Sequence, residues 1–159
     1  MVRFVIAVLI SIVFTTAVAG DLEDGLAASS RKDYATALEK FRSAAQQGSA
    51  AAQYNLGLMY ETGQGVAQDY REAARWYRLA AVQGDAKGQE LLGSLYFRGR
   101  GVLKNYVLAH MWLNIAATGT ISTAWYTRDL QERGMTSQQI EQAQRMAREC
   151  MGSNFTKCD

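Results

Sequence analysis

The chain has 159 residues, contains no proline and carries a formal net charge of +2 from 17 basic and 15 acidic residues. This length suits one domain, and the absence of proline in an alanine-rich chain favours uninterrupted helices. Such a small net charge excludes the strongly basic surface that nucleic-acid binding needs. We therefore expect no nucleic-acid partner.

The N-terminus has the features of a secretory signal peptide. Arg3 is the only charge before Asp21, residues 4–14 are almost all apolar, and residues 17–19 form an Ala-x-Ala pattern. A basic start, a short apolar core and small residues at the cleavage site are typical of such peptides. The alternative is a membrane anchor, but an apolar stretch of about 16 residues is shorter than the roughly 20 that span a bilayer. We predict cleavage after Ala19, export to the periplasm or medium, and no stable membrane anchor afterwards.

Two cysteines, Cys150 and Cys158, lie near the C-terminus. The residue immediately after the predicted cleavage point is Gly20 and not a cysteine, so a lipid anchor is not expected there. Neighbouring cysteines in an exported protein usually pair, because that compartment is oxidising. We expect a disulfide that ties the tail to the last helix and contributes about 2–3 kcal/mol through loop closure. The alternative is two free thiols or a redox pair, although the spacing is not Cys-x-x-Cys.

The sequence aligns with itself after a shift of 36 residues. Gly-x-Gly-Val occurs at 63–66 and again at 99–102, and Leu-Gly occurs at 56–57 and again at 92–93. Chance similarity in an alanine-rich chain would not keep glycines and aromatic residues in step. The other recurring positions are Tyr34, Tyr70 and Tyr106; Ala37, Ala73 and Ala109; Ala44, Ala80 and Ala116; Tyr60 and Tyr96; and Trp76 and Trp112.

Each full repeat is predicted to form two helices joined by the glycine loop. Helix A is predicted from about Ser49 to Glu61 and from Asp85 to Phe97. Helix B is predicted from Tyr70 to about Val82 and from Tyr106 to Ala117. One such hairpin cannot bury its own apolar face, so the hairpins must stack.

Local signals set the ends of these helices. Asp69 is a suitable N-cap, with Glu72 three residues later as its capping-box partner. The two glycines of the preceding loop allow positive φ and end helix A. The small alanines at the 36-residue spacing allow helices to approach closely, and Trp76 and Trp112 fill the space between hairpins.

Flanking segments complete the predicted stack. Residues 21–30 and 33–47 are expected to form an N-terminal hairpin. Residues 121–132 are expected to form a further helix, and the capping signal at 136–139 starts a last helix from Ser137 to about Cys150. This gives four helical hairpins after the signal peptide.

These residues carry a family resemblance. The pattern Ala-x-x-x-Leu-Gly-x-x-Tyr-x-x-Gly-x-Gly-Val-x-x-Asp/Asn-Tyr-x-x-Ala-x-x-Trp-x-x-x-Ala-Ala-x-x-Gly resembles the Sel-one-like repeat (SLR), a branch of the tetratricopeptide-like repeats. It spans 53–84 and 89–119, with a looser copy at 21–48. The tail, from Arg128 to the second cysteine, looks like the end of small exported bacterial SLR proteins. Gly88 departs from the usual alanine and is expected to loosen local packing.

The resemblance implies an all-α fold. The expected architecture is an α-solenoid, a right-handed superhelix of about four antiparallel helix hairpins, and we expect a monomer. The predicted divisions of the chain are a signal peptide at 1–19, an N-terminal tetratricopeptide-like hairpin at 20–48, SLR units at 49–84 and 85–119, and C-terminal capping helices with the disulfide tail at 120–159.

The resemblance also implies a binding role. SLR proteins are typically adaptors that hold other proteins on a concave helical surface, so we expect a non-catalytic adaptor of the bacterial cell envelope for a protein or peptide. The alternative is a β-lactamase-like protein, or a binder of cell-wall fragments, with weak hydrolase activity. The SLR branch that is described as β-lactamase-like has a disulfide in each repeat, whereas this chain has two cysteines in all.

No sequence motif provides catalytic, cofactor or metal chemistry. His110 is the single histidine, and no motif supplies the nucleophile or carboxylate that it would need as a base, so a packing or surface role is expected. The Gly63-x-Gly65 and Gly99-x-Gly101 pairs follow helices and lack the remaining residues of a phosphate loop. We therefore expect no enzyme activity, no cofactor and no metal.

The positions where the two best repeats differ carry the prediction of a partner surface, since shared packing does not fix their identity. They lie on helix A or at its end, and helix A lines the concave side in related solenoids. An exposed aromatic side chain such as that of Phe97 would be a natural anchor. The predicted surface consists of Tyr54, Leu58, Glu61, Glu90, Ser94 and Phe97.

Overall fold

The structure is a computed structural model that describes residues 18–118 and 134–158. Residues 1–17 of the predicted signal peptide and the predicted helix at 121–132 lie outside this range. Every regular element in the described residues is helical. The helices are α1 (residues 18–30), α2 (Tyr34–Gln46), α3 (Ala50–Thr62), α4 (Tyr70–Ala81), α5 (Ala86–Arg98), α6 (Tyr106–Ala117) and α7 (Ser137–Gly152).

The helices stack in chain order. Each helix from α2 to α6 packs against its successor among the described helices, so α2 contacts α3 and, at the far end, α6 contacts α7. The α1–α2, α3–α4 and α5–α6 pairs are the three hairpins that lie wholly in the described part of the chain. The prediction of an all-α solenoid of stacked hairpins is confirmed.

Side-chain caps define the helix starts. Ser49 and Asp85 cap α3 and α5 instead of lying inside them, and each accepts a hydrogen bond from the backbone three residues later. Asp69 caps α4 as predicted, accepting from the amides of Arg71 and Glu72. The predicted capping box at Glu72 is wrong, because that carboxylate accepts from Arg75 and the Asp69 amide donates to a backbone carbonyl.

The predicted last helix does have a capping box. The Thr136 hydroxyl accepts from the Gln139 amide at 3.2 Å, and the Gln139 side chain accepts from the Thr136 amide at 2.9 Å. These two bonds satisfy donors that the first turn of a helix cannot pair internally. The helix continues to Gly152, two residues past its predicted end.

Glycines on helix A let the helices of a hairpin approach closely. A Cβ on Gly57 would lie 2.6 Å from the ring of Tyr77, and a Cβ on Gly93 would lie 2.9 Å from Leu113. The expectation that Gly88 loosens packing is wrong. This residue is buried, and a Cβ there would lie 2.9 Å from the Cβ of Ala80, so the glycine permits close approach.

The tryptophans and small residues that recur every 36 residues form the core. Trp76 is buried within a cluster built on α1, α2 and α3, and Trp112 is fully buried in a second cluster that runs from α4 to the tail. The first cluster contains the recurring Ala37 and Ala44, and the second contains Ala73 and Ala109, all at zero exposure. The recurring side chains therefore act mainly in packing.

The C-terminal tail folds back onto the second cluster. Cys150 and Cys158 are both buried there, and the structure joins them with Cα atoms 4.6 Å apart. Phe155 packs against the same cluster and lies near Gly84, at the turn between α4 and α5. The geometry accommodates the disulfide that the sequence predicts, and its position would hold the tail on the core.

Candidate functional site

The predicted partner surface is divided between two hairpins. Tyr54, Leu58 and Glu61 lie on α3 and are half-buried. On α5, Glu90 and Phe97 are also half-buried. The sixth residue of the set, Ser94, is buried with 7 % of its surface exposed, so its side chain is poorly placed for a partner.

The structure brings Tyr54 and Glu61 together around a third side chain. The Tyr54 and Tyr77 ring centroids lie 6.2 Å apart, and the Tyr77 hydroxyl donates to Glu61 Oε2 at 2.7 Å. The Lys87 ammonium lies 5.5 Å from the Tyr54 ring centroid. We call Tyr54, Glu61, Tyr77 and Lys87 the tyrosine cluster, and it links α3, α4 and α5.

Both tyrosines of this cluster remain protonated at neutral pH. Burial is the main cause that raises the pKa of Tyr54, and the nearby carboxylates of Asp85 and Glu90 add to the effect. Burial also raises the pKa of Tyr77 far above its usual value, and its hydrogen bond to Glu61 raises it further. The Tyr77 hydroxyl therefore acts as a donor that fixes the Glu61 carboxylate.

Phe97 does not provide the exposed aromatic anchor that the sequence suggested. Its ring is half-buried and packs against Tyr106, with centroids 5.7 Å apart. It belongs to the contact between α5 and α6, away from the tyrosine cluster. The repeat pattern predicted that Phe97 lies at the end of a helix A, but it could not predict how the Phe97 ring is oriented.

Two buried glutamines, Gln53 and Gln89, were not predicted from the sequence. Gln53 donates to the carbonyl of Ala45 at 3.2 Å, and Gln89 donates to the carbonyl of Ala81 at 3.1 Å. Each ties helix A to the end of the preceding helix B, and Gln83 also donates to Gln53 at 2.7 Å. The 36-residue recurrence of Gln53 and Gln89 was the signal that could have revealed them. Their role is structural because a buried amide needs its partners.

A recurring Arg–Tyr pair was also missed. Arg42 donates to the Tyr60 hydroxyl at 3.5 Å, and Arg78 donates to the Tyr96 hydroxyl one repeat later. Both pairs join a helix B to the following helix A. These four residues recur at the 36-residue spacing, so they too are explained by the stack.

His110 is buried on α6. It is 2 % exposed, and its Nδ1 lies 2.8 Å from the Asn114 side-chain nitrogen. Its Nε2 has no hydrogen-bond partner among the described residues. Burial lowers the pKa of His110 below its ordinary value. This environment fits a neutral packing residue.

We expect His110 to make stability fall as the pH drops below about 6.5. Its pKa is lowered in the folded state, so the unfolded chain binds the proton first, and stability is lost until the pH falls below the folded pKa. The loss is at most about 1.4 kcal/mol per pH unit for one proton. Urea unfolding between pH 7 and pH 5 measures this slope, and His110→Leu should remove most of it. An unchanged slope in the variant would contradict the assignment.

The described residues give no support to the hydrolase alternative. No three His, Cys, Asp or Glu side chains converge there as possible metal ligands. A depression of about 290 Å³ between α6 and α7 is lined by Asn114, Thr118, Gln144, Ala147, Arg148 and Met151. This lining lacks the base and carboxylate that would activate a nucleophile.

None of the helices in the described part of the chain combines the length and apolar character needed to cross a bilayer.

The chain is similar to known repeat proteins along most of its length. It matches the profile of the Sel1 repeat at residues 19–49, 50–85 and 86–119. The crystal structure of c5321, a protective antigen present in uropathogenic Escherichia coli strains and displaying an SLR fold, is 31 % identical with a TM-score of 0.77. The match covers 87 % of this chain and 31 % of that one.

A Sel1 repeat protein from Oxalobacter formigenes is 34 % identical with a TM-score of 0.63, over 67 % of this chain and 43 % of that one. The chain therefore spans about a third to under a half of the length of these two proteins. The curated proteins contain no significant match.

Proposed function

This chain belongs to the Sel1 repeat family, and from that premise we propose that it is an exported, non-catalytic adaptor of the bacterial cell envelope. It binds a protein or peptide through the concave helix-A face. Its contacts would come from the half-buried members of the predicted set, Tyr54, Leu58, Glu61, Glu90 and Phe97, and not from the buried Ser94. Sel1 repeat proteins are generally protein-interaction scaffolds and typically non-catalytic.

The observation that carries the proposal is the tyrosine cluster. Its residues lie where the two repeats differ, since Tyr54 corresponds to Glu90 and Glu61 corresponds to Phe97. Stacking alone does not require a tyrosine at position 54. The half-buried ring is nevertheless fixed between Tyr77 and Lys87. A rigid aromatic side chain with charged neighbours suits partner binding, because little side-chain freedom is lost on contact.

Export is supported by several independent features. The buried cysteine pair suits an oxidising compartment. Cleavage after Ala19 would keep Asp21, which accepts from Lys40 at 2.9 Å and from Ser43 at 2.6 Å on α2. The similar structure from uropathogenic strains is that of a protective antigen, which fits a protein that meets its surroundings outside the cytoplasm.

The binding face can be tested with mature protein and extract of the bacterial envelope. We expect wild-type protein to retain one reproducible set of partners. Tyr54→Ala with Leu58→Ala should weaken capture about tenfold, since residues at the centre of an interface contribute roughly 1–2 kcal/mol or more. Quantitative mass spectrometry of the retained proteins gives the measurement.

Leu79→Ala is the matched control, because this leucine is exposed on α4, a helix B. It should leave capture unchanged, and circular dichroism should show that all variants remain helical. The proposal fails if wild-type protein retains nothing specific, or if the double variant and the Leu79 control capture equally well.

A further inference from the structure

The loop after α5 shares its two glycines and its valine with the corresponding loop of the preceding repeat, but the exposed residues of the two loops differ. Gly99, Gly101 and Val102 correspond to Gly63, Gly65 and Val66. At four other positions the loop after α5 differs from the preceding repeat: three polar residues are replaced by cations, and one alanine is replaced by leucine. Arg98, Arg100, Leu103 and Lys104 stand where the preceding repeat has Thr62, Gln64, Ala67 and Gln68.

All four of these side chains are exposed. Leu103 is 90 % exposed, against 46 % for Leu26 and 37 % for Leu79, the other exposed large apolar residues in the described range. Arg98, Arg100 and Lys104 surround it in sequence and are exposed as well. A single exposed leucine is unremarkable by itself. A leucine presented among three cations is a combined apolar and charged surface.

The backbone of this loop is fixed by its contacts. Gly99 and Gly101 have φ of 66° and 69°, and Gly101 lies directly against the backbone of Tyr70 at the start of α4. Arg100 lies over the Tyr70 ring, 5.3 Å from its centroid, and donates to its hydroxyl at 3.4 Å. The surface is therefore held by the neighbouring hairpin before any partner arrives, which reduces the entropy lost on binding.

No acidic residue of the loop itself neutralises these charges. Residues 98–105 contain no acidic side chain, and Asn105 replaces the acidic cap Asp69 of the preceding repeat. The ion pairs recorded within the described residues involve none of the three cations. A fourth exposed cation, Arg71, lies next to the loop. A Cβ added to Gly101 would be only 2.7 Å from the backbone nitrogen of Arg71.

We propose that the loop of residues 98–105 docks an acidic segment of a partner protein that carries one large apolar side chain. Guanidinium groups bind carboxylates in a bidentate manner, and the apolar side chain would cover Leu103. This surface goes beyond the helix-A face, because it lies at the connection between helices A and B. The two surfaces use different residues and can fail separately.

A protein segment fits this surface better than a lipid bilayer. Basic residues near an anionic membrane add only modestly to binding, and stable attachment needs either several apolar side chains or a lipid anchor. The loop offers one leucine in a rigid frame. A rigid frame suits carboxylates at defined positions, whereas a membrane offers a diffuse charge.

The test uses a loop-exchange variant, R98T/R100Q/L103A/K104Q, which copies the side chains of the preceding repeat onto the same backbone frame. A random peptide library displayed on phage is selected on the wild-type mature protein alone, and the enriched peptides are then measured against this variant. We expect the enriched peptides to be rich in Asp and Glu around one large apolar residue. In fluorescence polarisation, such a peptide should bind the variant at least about tenfold more weakly than wild type, and less tightly with added salt.

Two controls separate the possible outcomes. Tyr54→Ala with Leu58→Ala should leave this peptide affinity unchanged, even if it abolishes capture through the helix-A face. Vesicles of phosphatidylcholine and phosphatidylserine should not retain the protein. Enriched peptides without acidic residues, equal affinity for wild type and variant, or vesicle binding without peptide binding would each overturn the proposal.

Discussion

Gly101→Ala is expected to lower the free energy of unfolding by about 3 kcal/mol. The residue has φ of 69°, and an added Cβ would overlap the backbone carbonyl of Tyr70. Backbone atoms of a helix start cannot move aside as a flexible side chain can. The loop between α5 and α6 would therefore have to separate from the preceding hairpin. Urea unfolding of the purified mature protein, followed by circular dichroism, measures the loss.

Gly48→Ala is the matched control for this effect. Gly48 also has a positive φ, of 93°, but a Cβ there meets no atom within 4 Å. The control should lose only the conformational term, about 1 kcal/mol. The difference between the two variants isolates the contact between the loop and the hairpin. Equal losses at both positions would show that this contact contributes nothing to stability.

Trp112→Ala is expected to cost about 4 kcal/mol of unfolding free energy. The side chain is fully buried in the cluster that runs from α4 to the tail, and its removal leaves a large cavity there. A loss of this size would shift the thermal midpoint by well over about 10 °C in a domain of this length. Differential scanning calorimetry provides the measurement.

Trp112→Phe separates the effect of volume from that of the polar group. The Trp112 indole nitrogen is buried without a hydrogen-bond partner in the described part of the chain. Phenylalanine keeps most of the apolar contact and removes this unpaired donor, whose burial is costly. We expect a loss of only about 1 kcal/mol. A loss as large as that of the alanine variant would mean that the indole nitrogen has a partner after all.

Most of the fold could be predicted because the sequence repeats its packing residues. The recurrence of Leu56-Gly57 and Gly63-x-Gly65 predicted the helix pairs and the loops between them. Apart from the start of α1, which lies three residues before its predicted position, helix ends were predicted to within one or two residues, and Asp69 caps helix B as its side chain suggests. These features depend on local chemistry and on spacing, and both are visible in a sequence.

Features that depend on the distance between helices could not be predicted in this way. Gly88 appeared to weaken its helix, but the approach of Ala80 and Ala81 explains why no larger residue stands there. The Glu72 carboxylate is a different case, because its partner Arg75 lies one turn further along the same helix, and this local contact competes with the predicted capping box. The burial of Phe97 depends on how α5 meets α6. The sequence pattern holds no record of these distances.

The candidate site was only partly predictable for the same reason. The positions that differ between repeats predicted a partner surface on helix A, but spacing alone could not show that Tyr77 would join Tyr54 to Glu61. The loop at 98–105 needed the structure as well, since the exposure of Leu103 and the fixation of Gly101 are properties of the folded chain. Residues that recur therefore report on stacking, and the residues that do not recur are the ones that we propose for binding.

If recurring residues build the solenoid and variable residues form its surfaces, the loop-exchange variant R98T/R100Q/L103A/K104Q should be as stable as wild type. Its thermal midpoint, measured by differential scanning calorimetry, is the test. All four changes are at exposed positions and leave Gly99 and Gly101 in place. We expect a midpoint within about 2 °C of wild type, as for surface substitutions. A fall of about 10 °C or more, comparable to that expected for Gly101→Ala, would contradict it.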